Sequence, residues 1–370
     1  MTDSEWGKRI KALLAEYDPI RNVEHFEQLV TEHEPISNWN TFQVWARRFK
    51  DNGSFRGQSD ASWHLVTALD RAVVKTFSVD TPHVQSTTTM RVNIAENEKT
   101  LLLAFQRGAH HHLARTPHHD QTIDWLAMMQ HYGAPTRLLD WTRSPYVALY
   151  FALQGTTKGD ASIWSIDMKW FEERSLQLVR QQHPAWPDGS DFRASYEYTN
   201  RLVLRNDNPN VIVPVTTLEL NERMAAQQGH FLCSLRLDIN FTSLLLGMLI
   251  RPSRVRRQVV SKIVINTGQR IPFLKELRRM NIHSASLFPG LDGFSRSLVD
   301  NLAIDVGDQI EFEKRSNVRA IKKIWLRNRG TPKAGSAGWK GGVDPDNKPQ
   351  LGSEFPSSSN PPVGDSQPRK

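Results

Sequence analysis

Polar side chains that suit an anion-binding site are concentrated between residues 131 and 144 of this 370-residue chain. Its candidate site residues are an imidazole, a guanidinium, a carboxylate and two of its hydroxyls: His131, Arg137, Asp140, Thr142 and Ser144. Ser144 precedes Pro145, a pair typical of a helix N-cap followed by the first helical residue. The free N–H groups of that helix would point toward the same polar side chains. The spacing therefore predicts a polar loop that feeds a buried helix and forms an anion pocket.

The same residues also permit a purely structural interpretation. Arg137 and Asp140 can pair to fix a buried loop, because structural ion pairs collect at such turns. His131 can be a hydrogen-bonded core histidine, and nothing decides between Thr142 and Ser144 as the pocket hydroxyl. Both interpretations stay open from the sequence.

Two further segments place polar side chains beside apolar ones. The segment at residues 54–58 is short and contains Gly57. This pattern predicts a strand edge from which Arg56 projects. Arg223, Gln227 and Gln228 precede an apolar run at residues 231–233. Arg56 can also bridge a buried carboxylate, and Gln228 can satisfy backbone groups at a turn. So many polar groups in segments built for burial nevertheless indicate one convergent polar pocket.

Four ordered blocks of the sequence resemble the FRG domain, a family named for its Phe-Arg-Gly triplet. They are residues 55–60 with the apolar positions that follow, 130–152, 223–231, and 273–277 with 287–293. The blocks span about residues 20 to 300. The sequence departs from the family pattern at Gly290, where an acidic residue is expected, so no carboxylate role is predicted at that turn.

The order of the polar motifs in these blocks is similar to that of ADP-ribosyltransferase folds. In those folds a first-motif Arg or His holds NAD, a second-motif hydroxyl frames the nicotinamide, and a third-motif Glu stabilises the oxocarbenium-like transition state. The resemblance implies three catalytic residues, Arg56, His131 and Gln228. It implies a ligand-binding set made of Gly57, Gln58, Arg137, Asp140, Thr142, Ser144, Arg223 and Gln227.

The third motif carries a glutamine where those folds carry glutamate. An amide brings no negative charge to a developing cation, so transfer is weakened unless Glu219 or Glu222 substitutes. The pocket is therefore expected to bind a nucleotide-like or phosphate-bearing ligand. In the sharpest version of this expectation the ligand is NAD, either cleaved as a substrate or bound without turnover. The FRG resemblance further implies a defence-type system.

A non-enzymatic module is the alternative function class, in which the pocket senses a ligand and another surface binds nucleic acid or protein. The net charge of +8 and a pI of about 9.6 favour contact with phosphates. Basic residues cluster at Arg251, Arg254, Arg256 and Arg257, and again at Arg319, Lys322, Lys323, Arg327 and Arg329. No zinc-finger, basic-zipper or aromatic RNA-binding signature accompanies them. Nucleic acid therefore stays a candidate partner, and the sequence identifies no protein partner.

Cysteine and histidine usage argues against disulfides and metal chemistry. Cys233 is the single cysteine, which excludes an intramolecular disulfide and favours a reducing cytoplasm. It lies in an apolar run, where a small buried side chain is the usual role. The consecutive histidines 110–112 would point about 100° apart on a helix, so no metal is predicted there. No signal peptide is apparent, and residues 244–250 are too short to span a bilayer, so no membrane association is predicted.

Hydrophobic periodicity predicts an α+β fold with a mixed sheet flanked by helices. Helices are predicted over residues 6–17, 23–30, 95–113, 123–130 and 273–280, and strands over 54–58, 161–166, 211–215, 231–237 and 262–266. Four parts are expected: an N-terminal helical segment packed on the core (1–50), the FRG domain (51–300), a closing element (301–330) and a disordered tail (331–370). The tail holds seven prolines and six glycines but few large apolar residues.

Overall fold

The computed structural model describes residues 30–32, 34–49, 51–72, 94–113, 115–155, 159–184, 196–205, 208–218, 221–249 and 259–328. The predicted helix over 6–17, most of that over 23–30, the basic cluster at 251–257 and the tail at 331–370 lie outside these residues. So does Glu219.

Six strands form one sheet at the centre of the fold. They are β1 (Gly53–Gln58), β2 (Leu138–Thr142), β3 (Ala161–Asp167), β4 (Ile212–Val215), β5 (Gly229–Ser234) and β6 (Val260–Ile265). Their order is β4-β5-β2-β1-β3-β6, and every neighbouring pair is antiparallel. Parallel pairing is confined to isolated bridges from Thr31 and Ile36 to β6. The predicted α+β fold is confirmed.

Strand β2 corrects the prediction of a polar loop before residue 144. Leu138, Leu139 and Trp141 are buried, whereas Asp140 between them is exposed. Because the polar residues interrupt the apolar ones, the segment lacks the alternation that identifies a strand from sequence. The other five strands coincide with predicted ones to within a few residues.

Helices cover both faces of the sheet. They are α1 (Trp39–Ala46), α2 (Ile94–Ala109), α3 (Thr122–His131), α4 (Pro145–Gln154), α5 (Met168–Gln182), α6 (Tyr196–Val203), α7 (Glu222–Ala226), α8 (Phe241–Leu249), α9 (Arg270–Arg279), α10 (Ser284–Leu287) and α11 (Leu291–Asn328). The predicted N-cap is confirmed, because Ser144 Oγ accepts a hydrogen bond from Val147 N at 3.3 Å and Pro145 is the first helical residue. Most of the region predicted as a closing element (301–330) lies in one helix, α11.

Buried apolar side chains form two large clusters, one on each face of the sheet. Ile163 and Trp164 are neighbours in β3 but belong to different clusters, as the alternation of side chains along a strand requires. One cluster contains Trp141 and Trp164, and the other contains Phe55 and most of α4. The sheet is therefore a rigid central layer on which the polar residues of β1, β2 and β5 are held.

The chain divides into two compact units, residues 1–312 and 313–370. Within the second unit the described residues are 313–328, which are helical. None of the described helices is both long and apolar enough to cross a membrane.

Candidate functional site

A cleft lies where strands β1 and β2 diverge in the middle of the sheet. These two strands share one partner pair, Phe55 with Thr142, whereas β1 follows β3 over its whole length. The cleft has a volume of about 420 Å³. It is lined by residues 55–57 of β1, 140–142 of β2 and 229–231 of β5, together with side chains from α3, α7 and α11. Polar side chains from several strands and helices therefore line the same cleft.

Arg56 spans the gap between the diverging strands. Its Nη1 donates to the main-chain oxygen of Asp140 at 2.7 Å and lies 4.0 Å from the Asp140 carboxylate. The Nε of Arg56 is buried and has no hydrogen-bond partner among the described residues. Burial lowers the pKa of the guanidinium, and the charge of Asp140 opposes that shift. One donor of this arginine is thus left for a further acceptor.

Two more arginines enter the cleft from the opposite side and share one aromatic ring. The guanidinium carbon of Arg223 lies 4.7 Å from the centroid of Phe288, and that of Arg296 lies 5.2 Å from it. Burial lowers the pKa of Arg223, Asp140 raises it, and the like charge of Arg296 lowers it further. Asp140 is the only carboxylate among the described residues that line the cleft. The cleft therefore carries three guanidinium groups against one carboxylate.

The end of α3 supplies an amide and an imidazole. Gln130 Nε2 donates to Asp140 Oδ1 at 2.7 Å, which fixes one carboxylate oxygen. His131 lines the cleft with an exposed side chain. Desolvation by its surroundings, and then the charge of Arg223, lower the pKa of this imidazole.

The predicted residues Thr142 and Gln227 line the cleft and connect its walls. Thr142 Oγ1 donates to the main-chain oxygen of Gln227 at 2.7 Å and accepts from Ser144 N at 3.1 Å. The side-chain amide of Gln227 donates to Leu287 O at 3.0 Å. The Thr142 hydroxyl thus spends its donor inside the protein, whereas the Gln227 amide uses one of its two N–H donors in this bond.

Sequence reasoning gave no role to the neighbouring pair His230 and Trp141. They are cross-strand partners in β5 and β2, and both line the cleft while being almost fully buried. His230 Nε2 is hydrogen-bonded to Ser54 Oγ at 2.9 Å. His230 Nδ1 and Trp141 Nε1 have no hydrogen-bond partner among the described residues. Burial, with a smaller effect of Arg143, lowers the pKa of His230 to about 4.

Comparison with known proteins identifies part of this architecture. Residues 51–161 match the family model of the FRG domain. These residues are an FRG domain. The predicted resemblance is confirmed for the first two sequence blocks, and the blocks at 223–231 and 273–293 lie beyond the matched range. Neither a curated protein nor a solved structure gives a match to the chain.

The FRG domain builds only one side of the cleft. It contributes Arg56, His131, Asp140 and Trp141, whereas Arg223, His230, Phe288 and Arg296 come from the chain that follows it. The two sets meet because β5, which lies outside the matched range, pairs with β2 inside it. A complete cleft therefore requires residues on both sides of position 161.

The glycine of the Phe-Arg-Gly triplet has a packing role. A Cβ atom at Gly57 would lie 2.0 Å from Ala148 O and 2.6 Å from Ala152 N. Only the absence of a side chain lets α4 lie this close to β1. Gly57 thus places the middle of α4 beside the FRG triplet and borders the cleft through its backbone.

Arg137, predicted to bind a ligand, lies in the core of the FRG domain and not in the cleft. Its guanidinium pairs with Glu98 at 2.5 Å, and both side chains are shielded from solvent. Nη1 also donates to Val203 O at 2.5 Å. Burial by itself lowers the pKa of the Arg137 guanidinium. The negative charge of Glu98 more than offsets this effect, so the pKa is raised overall. The structural interpretation holds for this residue, with Glu98 as its partner in place of Asp140.

Three other predicted site residues also lie outside the cleft lining. Ser144 caps α4. The Gln58 amide accepts from Trp164 Nε1 of β3 and donates to His64 O. Gln228 stands in the turn before β5 with a positive φ of 49°, and its main-chain oxygen accepts from Arg143 N. The chain enters β5 directly after this turn, and Gln228 is exposed. Gln228 was predicted as a catalytic residue from the order of the motifs, but it does not line this cleft.

The cysteine and the histidine cluster add no chemistry to the cleft. Cys233 is buried, and burial raises the pKa of its thiol to about 12. His118 Nδ1 lies 2.6 Å from Asp120 at the surface. Within the described ranges, no three His, Cys, Asp or Glu side chains are grouped as metal ligands would be.

Proposed function

We propose that the cleft binds a nucleotide-like anion, with NAD or ADP-ribose as the ligand class. The observation that carries the proposal is the convergence of Arg56, Arg223 and Arg296 on a cleft with one carboxylate. Guanidinium groups bind phosphate oxygens in bidentate fashion and stay charged, so they suit a diphosphate. A volume of about 420 Å³ also falls within the range of small-ligand sites.

The apolar part of the cleft suits the rings of such a ligand. Phe151 and Phe288 meet edge to face with centroids 6.0 Å apart, and both line the cleft. Trp141 Nε1 and Arg56 Nε can only donate hydrogen bonds, so they favour a ligand that presents carbonyl or phosphate oxygens. Two buried donors without partners are costly until an acceptor reaches them, at roughly 1–3 kcal/mol each.

In the NAD-directed form of the proposal, Asp140 is the catalytic residue. Cleavage breaks the bond between ribose C1′ and the nicotinamide nitrogen, and the electron pair leaves with nicotinamide. Water or another nucleophile then adds to C1′ and loses a proton. A carboxylate stabilises the positive charge that develops on the ribose, and Asp140 is the lining residue with that charge. Gln228 is not needed for this step.

Binding is tested by titration calorimetry with ADP-ribose, NAD and ADP on the full chain. Arg223→Ala and Arg296→Ala are expected to weaken ADP-ribose binding at least tenfold, because each removes a phosphate partner. Arg107→Ala is the matched control, since this arginine is exposed on α2 away from the cleft. Equal affinity in all four proteins, or no binding of any of the three ligands, would refute the proposal.

Turnover is followed separately as nicotinamide release from NAD. Loss of release in Asp140→Asn with ADP-ribose binding retained would assign the carboxylate to the reaction. Binding without release in the wild type would leave the cleft as a sensor, the alternative function class.

A defence-type role has its support in the FRG resemblance, and a cytoplasmic location has its support in the lone, buried Cys233.

A further inference from the structure

Three side chains project from one face of neighbouring strands at the centre of the sheet. Trp141 in β2 is the cross-strand partner of His230 in β5. Phe55 in β1 is the antiparallel partner of Thr142 in β2. The next positions are therefore Arg56 on β1 and Trp141 on β2, where the two strands begin to diverge. Because side chains alternate along a strand, Arg56, Trp141 and His230 share one face, and all three line the cleft.

Each of these side chains holds a buried nitrogen that has no hydrogen-bond partner among the described residues. The atoms are Arg56 Nε, Trp141 Nε1 and His230 Nδ1. Trp141 and His230 are only 2% and 4% exposed. The guanidinium and indole nitrogens carry hydrogens and can only donate. Since a buried donor without an acceptor is costly, two such donors side by side indicate a place where a ligand supplies acceptor atoms.

Ser54 determines which nitrogen of His230 carries the ring proton. Burial lowers the pKa of His230 to about 4, so the ring is neutral near pH 7 and has one N–H. Ser54 is fully buried, and in the described part of the chain its hydroxyl bonds only to His230 Nε2, at 2.9 Å. The arrangement that leaves the fewest groups unpaired has the hydroxyl donating to Nε2, which puts the ring proton on Nδ1. His230 is then a third donor without an acceptor.

We propose that Arg56, Trp141 and His230 form a subsite for one phosphate group of the ligand. A phosphate inside a diphosphate accepts several hydrogen bonds and donates none, whereas a carboxamide or a sugar hydroxyl would bring its own hydrogens toward these donors. The charge of Arg56 suits an anion, and the two neutral N–H groups add directed hydrogen bonds. The inference deepens the proposed function and rests on it for the nucleotide part of the ligand.

The other two arginines are available to the second phosphate of a diphosphate. Arg223 and Arg296 both lie against the ring of Phe288. Arg56 is held on β2 instead, because its Nη1 donates to the main-chain oxygen of Asp140 at 2.7 Å. The cleft thus offers two groups of donors, one fixed on the sheet and one at Phe288. Inorganic pyrophosphate has two phosphates and no other group, so it is the probe for this arrangement.

Titration calorimetry of the full chain with pyrophosphate tests the subsite. Trp141→Phe removes the indole N–H and is expected to weaken binding about tenfold, because a hydrogen bond to a charged group is lost. Trp164→Phe is the matched control. Trp164 is also a buried strand tryptophan, but its Nε1 donates to Gln58 Oε1 at 2.8 Å, and it is not among the described residues that line the cleft. Its substitution should leave the affinity unchanged.

Malonate, a dicarboxylate, distinguishes phosphate from carboxylate in the same titration. Thermal unfolding checks that both tryptophan variants fold. Three results would overturn the inference: no binding of pyrophosphate by the wild type, equal affinity in Trp141→Phe, or tighter binding of malonate than of pyrophosphate.

Two amide substitutions at position 230 separate donation to the ligand from packing. The asparagine amide branches at the same atom as the imidazole Nδ1, whereas the glutamine amide lies one carbon further, near the position of Nε2. His230→Asn should therefore keep a donor for pyrophosphate, and His230→Gln should keep the bond to Ser54 but bind pyrophosphate about tenfold more weakly. The reverse order of affinities would overturn the inference.

Nitrogen-15 NMR locates the ring proton without any ligand. The signals of His230 are those that disappear in His230→Gln. They are expected to show a protonated Nδ1 and an unprotonated Nε2 at pH 7. A proton on Nε2 would remove the third donor and overturn the subsite.

ADP-ribose binding keeps the two proposals distinguishable. Binding of ADP-ribose that depends on Arg296 but not on Trp141 or His230 would overturn the subsite and retain the proposed function. Binding of pyrophosphate that depends on Trp141 and His230, with no binding of ADP-ribose, NAD or ADP, would support the subsite and refute the proposed function.

Discussion

The guanidinium of Arg137 and the carboxylate of Glu98 form an ion pair inside the FRG domain, with the two residues 39 positions apart in sequence. The pair also organises the backbone, because Glu98 Oε1 accepts from Arg137 N at 3.0 Å and Arg137 Nη1 donates to Val203 O. It ties α2 to the start of β2 and so fixes the strand that carries Asp140 into the cleft. The ion pair thus supports the cleft from the core, because it holds β2 in place.

Removal of one partner is expected to destabilise the fold strongly. Arg137→Met leaves the Glu98 carboxylate buried without a counter-charge, which costs about 3–5 kcal/mol of unfolding free energy. Urea denaturation measures the loss. Glu98→Gln/Arg137→Met should regain part of it, since the amide is uncharged. The exposed pair of Arg201 and Glu197 is the control, because Arg201→Met should change the unfolding free energy by at most about 1 kcal/mol. Similar losses at Arg137 and Arg201 would contradict the structural role.

Substitution of Gly57 is expected to separate α4 from β1. The new methyl group in Gly57→Ala would overlap Ala148 O and Ala152 N, at a cost of about 1–3 kcal/mol. Gly108→Ala in α2 is the control, because no atom lies within 4 Å of the added Cβ. There the gain in helix propensity should stabilise the protein by about 0.5–1 kcal/mol. The midpoint of thermal unfolding should thus fall in Gly57→Ala and rise in Gly108→Ala. An unchanged midpoint in Gly57→Ala would show that α4 can move away from β1 without loss of stability.

Local sequence signals predicted the helix that borders the cleft. The N-cap at Ser144 and the first helical residue Pro145 act within one turn, so neighbouring residues suffice to identify them. The same holds for β3, where a continuous apolar run spans the strand. Arg56 was also recognised as a cleft residue, although it lies within the interior strand β1 and not at the predicted strand edge.

Long-range pairing explains what the sequence did not reveal. Nothing near Arg137 indicates that its partner is Glu98, and nothing near His230 indicates Ser54 or Trp141 as neighbours. Arg296 was missed for the same reason, since it reaches the cleft only because α11 packs on Tyr150 and Ser284. Proximity in sequence to a motif, which suggested Gln228, does not determine where a turn directs its side chain.

The buried His230 is expected to make stability fall as the pH decreases. Its pKa is about 4 in the folded protein against 6.5 as the ordinary value, so the unfolded chain takes up the proton first. The stabilising contribution is therefore present above pH 6.5 and is lost between pH 6.5 and 4. For this residue alone, unfolding free energy should drop by about 2 kcal/mol between pH 7 and pH 5.

Urea denaturation of wild type and His230→Gln at both pH values isolates this contribution. The variant should be less sensitive to pH by about the same 2 kcal/mol, whatever its stability at pH 7. His112→Gln serves as the control for the substitution itself, because that histidine is exposed at the surface. An unaltered pH dependence in His230→Gln would mean that the ring can be protonated in the folded state.

Neutralisation of Asp140 is expected to have opposite effects on binding and on turnover. The carboxylate is 66% exposed and is the only negative charge that opposes Arg56, Arg223 and Arg296 in the cleft. Asp140→Asn keeps an oxygen to accept from Gln130 but removes the charge, so ADP-ribose should bind more tightly, by roughly fivefold or ~1 kcal/mol. Any nicotinamide release by the wild type should fall sharply, because Asp140 is the one carboxylate among the described residues that line the cleft. Calorimetry at two salt concentrations separates these effects, since the gain in affinity is electrostatic and should shrink as ionic strength rises. Weaker binding by Asp140→Asn would instead mean that the carboxylate holds the ligand directly, through hydroxyl groups of the ribose.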